Sequence, residues 1–350
     1  MGEIFLLVPV AVMLTVRRGY DTAVVLGAVV LAGLVQAGVG IWQVFTGTGA
    51  SFAGHNNRAV GTFGAVDVMA MSMVVGYAVI VVVAAALAWS GRRRLLLMPP
   101  AAVLCLALTL ALSRGSWLAI GAGVAVMLVL RSRALALRVA FGAAAVAIVA
   151  VCGLGWQSSA LAVRAQSIAA SFDAPDRSVG DRFSLWATAV TIWGDHPMVG
   201  VGVKGFPSHR DGYAPLELSS ASETQDPGNG YIRQPLLSPH NQYLLVLSEQ
   251  GLLGLSGFVV LLGALAQRII AVRRRTDPAW LACAGFMTAS LLAFLYGDLG
   301  GPSCILVAIM VGVTGATVFG GAAENGHCRT RPWSSPARRP AAAIGEHCRW

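Results

Sequence analysis

Charge is scarce in this sequence. Asp, Glu, Lys and Arg make up 12% of its 350 residues, against about 25% in an ordinary soluble protein. So few charges exclude a water-bathed globular surface, whereas 56% hydrophobic residues is the composition of a chain dissolved in lipid. Cysteine is also sparse, and its placement excludes more than its number does. Cys105, Cys152, Cys283 and Cys304 fall in apolar runs, and Cys328 and Cys348 fall in a basic C-terminal tail. The long polar stretch 157–239 has none, so no disulfide is expected there. The two His-Cys-Arg triplets of the tail, at 327 and 347, lack the paired spacing of structural zinc, and no metal site is expected. That Pro-, Ala- and Arg-rich segment, 321–350, reads as disordered. An internal repeat is missing too, although paired repeats are the common mark of a transporter.

Long apolar runs are what the chain has instead. They lie at about 3–16, 22–44, 66–89, 95–112, 115–130, 134–156, 241–266, 279–296 and 302–320, most of them near the roughly 20 residues that cross hydrocarbon. They predict an all-α integral membrane protein of about nine transmembrane helices: a bundle over 1–156, an extracytoplasmic loop over 157–239 and C-terminal helices over 240–320. The run at 3–16 lacks the basic start and small-residue cleavage site of a signal peptide, so it is expected to span. A net charge of +9 invites a nucleic-acid reading, but the basic residues alternate between loops. Most of the 25 Lys and Arg residues fall at 17–18, 92–94, 131–138, 268–275 and in the tail. The positive-inside rule then puts the N-terminus outside, the C-terminus inside and the long loop outside. Trp89, Trp117, Trp156 and Trp280 fall near span ends, as an aromatic belt requires.

Within the loop, Phe183, Trp186, Val190 and Trp193 recur at helical spacing, predicting an amphipathic helix over 182–193 with its tryptophans toward the membrane. Asp181 can cap its start, and Gly194 and Pro197 can end it. Arg182 sits at the edge of that face, as a snorkelling anchor or a phosphate ligand. Gly200, Gly202 and Gly205 spell G-x-G-x-x-G, but no strand precedes them and no helix clearly follows, so a close-packing turn is expected rather than a dinucleotide site. Residues 209–234 read as a mobile flap. The outer turn 46–64, with His55, Asn56, Asn57 and Arg58, reads either as an ordinary glycine-rich turn or as a further wall of a site.

Two positions point to chemistry. Arg114 stands in Ser-Arg-Gly-Ser-Trp between two apolar runs, where a guanidinium must snorkel, pair or face water, and its fork suits phosphate oxygens. His240 stands in Ser-Pro-His-Asn, where Ser238 can be the N-cap and Pro239 the N1 residue of a helix. The positive end of that helix would keep the imidazole neutral and able to act as a base. Glu249, nine residues on, would point away from His240 on a continuous helix, and Arg114 is one candidate partner. Gly251, Gly254 and Gly257 are expected to allow close helix contact, and Asp298 adds a carboxylate in an outer turn.

Together, S-R-G-S-W at 113–117, R-F-S-L-W-A-T-A-V-T-I-W-G-D-H-P-M-V-G-V-G-V-K-G-F at 182–206 and H-N-Q-Y-L-L-V-L-S-E-Q-G-L-L-G-L at 240–255 resemble the O-antigen ligase and polymerase superfamily of bacterial envelope glycosyltransferases. Members typically have more spans, which implies a chain short at its N-terminus. The resemblance implies a GT-C-like fold, no cofactor, a polyprenyl-diphosphate-linked glycan donor, a glycan or lipid-glycan acceptor and an outward-facing site on the bacterial cytoplasmic membrane. By motif, Arg114 and Arg182 would bind the diphosphate and His240 would be the base. Arg58, Lys204, Asn241 and Tyr243 are expected to bind substrate, and Asp195, His196 and Glu249 to be structural or orienting. A small-anion or lipid transporter and an inactive scaffold subunit are the rival readings.

Overall fold

The computed structural model describes residues 2–320 apart from 18, 53–54, 65–66, 154–176, 216–217, 219–220, 227–229, 300 and 302. Trp156, the start of the polar loop and the tail 321–350 therefore lie outside the described residues. A helix occupies each of the nine apolar runs: α1 Gly2–Thr15, α2 Tyr20–Thr46, α3 Val68–Ala88, α5 Met98–Leu110, α6 Arg114–Arg131, α7 Arg133–Gly153, α10 Gln242–Val272, α11 Pro278–Ala293 and α12 Ser303–Phe319. The short α4, Arg92–Leu95, leads into α5. Five of the described helical stretches, 20–46, 69–88, 92–110, 114–131 and 242–272, are long and apolar enough to cross a membrane, and three shorter apolar helices accompany them.

The centre of the bundle is α3. Its apolar window is 83% buried, against 28% for α2, and it packs on α2, α5, α6 and α11. An all-apolar surface with no polar face suits a helix ringed by other helices, and the few polar groups inside are paired: the Tyr77 hydroxyl lies 3.2 Å from that of Ser290 on α11. The outward side chains of α2, among them Leu31, Val35, Trp42 and Phe45, are exposed and apolar, as a surface against hydrocarbon must be. Trp280 departs from the expected belt. It is fully buried, its indole N–H donating to Ile269 O at 3.0 Å, because α11 is an inner helix.

The bundle has two chemically distinct ends. Arg131 Nε donates to Leu87 O at 3.1 Å at the C-terminus of α3, the end from which Arg92, Arg93 and Arg94 follow. At the other end of α3, Asp67 caps the helix through Ala70 N at 3.0 Å, and Ser72 Oγ meets Ser116 Oγ of α6 at 2.7 Å.

The polar segments are more ordered than the sequence suggests. Strands β1 Ala50–Phe52 and β2 His55–Arg58 pair antiparallel. The stretch 209–234, read as a mobile flap, overlaps helix α9 Phe206–Tyr213 and a second strand pair, β3 Ala221–Asp226 and β4 Gly230–Pro235, in register from Ala221↔Pro235 to Asp226↔Gly230. Strand β3 lies beside β1. The architecture is thus predominantly α with two small strand pairs, rather than purely α.

The loop helix is α8, Arg177–Asp195. It starts four residues before Asp181, which therefore lies inside it, and it runs through Gly194. Its buried face is Leu185, Ala189 and Ile192, packed with Phe206 and Leu236. Phe183 and Val190 are exposed. The helix therefore has two apolar faces, and on the second Phe183 and Val190 are exposed while Trp186 and Trp193 are half-buried.

Candidate active site

Four segments meet at the Asp67 end of the bundle. The first is the entry to α10. Its N-cap is Asn241, whose Oδ1 accepts Leu244 N at 3.1 Å, not Ser238. His240 precedes the cap with φ of 48°, so it stands before the helix rather than at its second position. The Ser238 side chain, freed from capping, accepts His240 N at 3.1 Å and donates its hydroxyl to Asp298.

The second segment is the turn after α11, which clasps that entry. Gln242 N donates to Phe294 O at 2.8 Å and to Gly297 O at 3.0 Å, Leu299 N donates to Gln242 Oε1 at 2.7 Å, and Asn241 Nδ2 donates to Leu295 O at 3.0 Å. The clasp brings Asp298 Oδ2 to 3.8 Å from His240 Nδ1. The imidazole is 39% exposed and the Asp298 side chain 13%, so one edge of the ring stays open while the carboxylate behind it is covered.

The third segment is α8, which sets Arg182 beside His240. Trp186, one turn after Arg182, donates its indole N–H to Pro239 O at 2.9 Å. Burial pushes the His240 pKa below its ordinary 6.5; the Asp298 charge opposes this, and the Arg182 guanidinium adds to it. Loss of solvent, rather than a helix end, is thus the main effect that favours the neutral ring.

The fourth segment is the start of α6. The Tyr296 hydroxyl donates to Gly115 O, next to Arg114, and a Cβ at Gly115 would overlap the Tyr296 ring. Ser116, one residue further, is held by Ser72 and Ser113. Arg58 joins this corner, its Nε donating to Ala111 O at 2.9 Å, because Gln43 and Gln36 of α2 hold residues 60–62 through backbone hydrogen bonds. Asp67 lies close enough to Asp298 that the two charges repel, and burial is the main cause raising the Asp67 pKa.

Arg58, Arg114, Arg182 and His240 are thus gathered at one end. The other expected residues are placed differently. Asn241 is committed to capping, and the Tyr243 hydroxyl donates to Leu291 O at 2.9 Å beside Phe258 and Phe294. Asp195 accepts the Tyr213 hydroxyl at 2.8 Å. Asp195 and His196 lie at the far end of α8, about 20 Å from Arg182 along the axis. Glu249 takes backbone N–H donors rather than Arg114: its Oε1 accepts Phe206 N at 3.2 Å, and Lys204 N also donates to it. Asp298, Ser238 and Tyr296 are the residues whose roles the sequence hides, because a turn 58 residues beyond His240 supplies two of them. The only local signal is a polar Y-G-D between two apolar runs.

A neutral, half-open imidazole backed by a carboxylate, with guanidinium groups nearby, can take a proton from a hydroxyl while charge grows on a phosphate. Residues 99–259 match the family described as O-antigen ligase. That segment contains Arg114, Arg182 and His240, while Arg58 and Asp298 lie outside it. No curated protein matches the chain.

Proposed function

We propose that this integral membrane protein, whose residues 99–259 match the O-antigen ligase family, is a glycosyltransferase that ligates or polymerises a polyprenyl-diphosphate-linked glycan at the outer face of the cytoplasmic membrane. The observation that carries the reading is the setting of His240, within reach of the Arg182 charge and with Asp298 at 3.8 Å.

His240 Nδ1 faces the carboxylate, so its N–H points there and Nε2 keeps the lone pair for the acceptor. The acceptor hydroxyl gives its proton to Nε2 as its oxygen bonds to the anomeric carbon. The bond from that carbon to the diphosphate oxygen breaks, and polyprenyl diphosphate departs. Arg114 and Arg182 stabilise the charge that gathers on it, and Arg58 stands ready at the same corner. A diphosphate is a good leaving group, so one displacement suffices and the anomeric centre inverts; no metal or cofactor is required.

Orientation follows from charge. The basic residues 92–94 and 131 gather at the bundle end opposite His240, which supports an outward-facing site by the positive-inside rule. The exposed Phe183 and Val190 of α8 suit the outer lipid surface, and the partners are the lipid-linked donor, a glycan or lipid-glycan acceptor and membrane lipid, with no nucleic acid. Liposomes carrying the protein, supplied with a polyprenyl-diphosphate oligosaccharide and a glycan acceptor, should release polyprenyl diphosphate and yield a lengthened acceptor. Absence of both products, with intact folded protein, would reject the assignment.

A further inference from the structure

Helix α10 is broken at Gly251, where φ is 64° and ψ is −162°, far from helical values. A break in a membrane-spanning helix frees backbone groups that hydrocarbon cannot satisfy. Here residues 197–202 of the outer loop satisfy them. Val201 N donates to Ser248 O at 3.1 Å and Gly202 N to Glu249 O at 2.8 Å, while Leu252 N and Leu253 N donate to Pro197 O at 2.9 Å and Met198 O at 3.2 Å. The approach leaves no room for side chains. A Cβ on Gly200 would meet the backbone of Glu249 and Gln250, and one on Gly251 would meet that of Met198 and Val199. By contrast, Gly254 faces its own Gln250 and Gly257 faces open space, so none of the three glycines expected at a helix contact meets another helix, and the first admits loop backbone instead.

The Glu249 carboxylate completes the joint. It sits at the break, 7% exposed, and takes the N–H groups of Phe206 and Lys204. These open α9, whose first N–H groups have no partner within the helix. Phe206 is fully buried and packs in one cluster with Leu185, Ala189 and Ile192 of α8. Leu185 stands three residues after Arg182. A continuous path of contacts therefore runs from Glu249 through Phe206 and α8 to the guanidinium beside His240.

Resting on the transferase reading above, we propose that Glu249 is a positioning residue: seated in the break of α10, its carboxylate clamps the first turn of α9 and thereby fixes Arg182 relative to His240. It acts as a hydrogen-bond acceptor of a given reach, not as a charge. An intramembrane carboxylate commonly marks an ion path, but this one is turned onto loop backbone.

Glu249→Ala, Glu249→Gln and Glu249→Asp in purified full-length protein separate these roles. Amide hydrogen exchange over 197–206 and glycan turnover are read side by side, with His240→Ala in parallel. In Glu249→Ala, exchange should rise and turnover fall, each by roughly tenfold or more. Glu249→Gln, whose amide oxygen reaches the same N–H groups, should restore both. Glu249→Asp keeps the charge but withdraws it, and should stay impaired; this comparison decides the matter if the alanine variant does not fold. Unchanged exchange or unchanged turnover in Glu249→Ala would overturn the proposal, as would an aspartate variant that outperforms glutamine. Should His240→Ala transfer glycan at full rate, the catalytic reading fails separately, while the exchange data still judge the clamp.

Discussion

His240 Nδ1 lies 3.8 Å from Asp298 Oδ2, and the oxygen it faces is the one that accepts the Ser238 hydroxyl. The separation exceeds a formed hydrogen bond, and catalytic contacts commonly tighten once substrate binds. Asp298→Asn should therefore lower kcat by about tenfold or more with little change in thermal stability. Steady-state transfer assays at matched protein levels check this.

The pH profile reads the same environment. The base must be neutral, so kcat/KM should rise with pH through the His240 pKa, which burial holds below 6.5. The Asp298 charge raises that pKa and the Arg182 charge lowers it. Asp298→Asn should accordingly move the acid limb further down, and Arg182→Gln should move it up. Limbs that stay in place in both variants would show that another group titrates.

Lysine should replace arginine poorly at 114 and 182. A guanidinium offers two parallel N–H groups to a phosphate, and an ammonium offers a point charge. Arg114→Lys and Arg182→Lys should each lose at least about tenfold in turnover, the scale of one lost transition-state donor. Full activity in both would reject diphosphate clamping.

Gly251→Ala should destabilise the fold. Its φ of 64° costs a non-glycine residue about 1–3 kcal/mol, before overlap with Met198 is counted. Thermal melting in detergent should fall for Gly251→Ala and for Gly200→Ala, while Gly257→Ala, which meets open space, should melt as the parent does.

The helices were legible because apolar runs of this length have few other uses, and Arg114, Arg182 and His240 were legible because cations and a histidine at the edge of such runs call for a reason. Geometry inside the loop was not. The periodicity of Phe183, Trp186, Val190 and Trp193 marks a real apolar face, yet Leu185, Ala189 and Ile192 form a second, and spacing alone does not say which meets protein. Polar strands such as A-S-E-T-Q-D carry no apolar alternation, so the second strand pair read as flexible. The placement of Glu249 assumed an unbroken helix, and Gly251 breaks it two residues later, where loop backbone supplies the missing partners. Asp298 became visible only once the fold laid the turn after α11 across the entry to α10.

The central claim is that His240 takes the acceptor's proton, and His240→Ala assayed for glycan transfer tests it most directly. With protein level and melting temperature matched to the parent, transfer should fall by about 10²–10⁴-fold while binding of the lipid-linked donor persists through the arginines. Transfer at the parent rate would contradict the account.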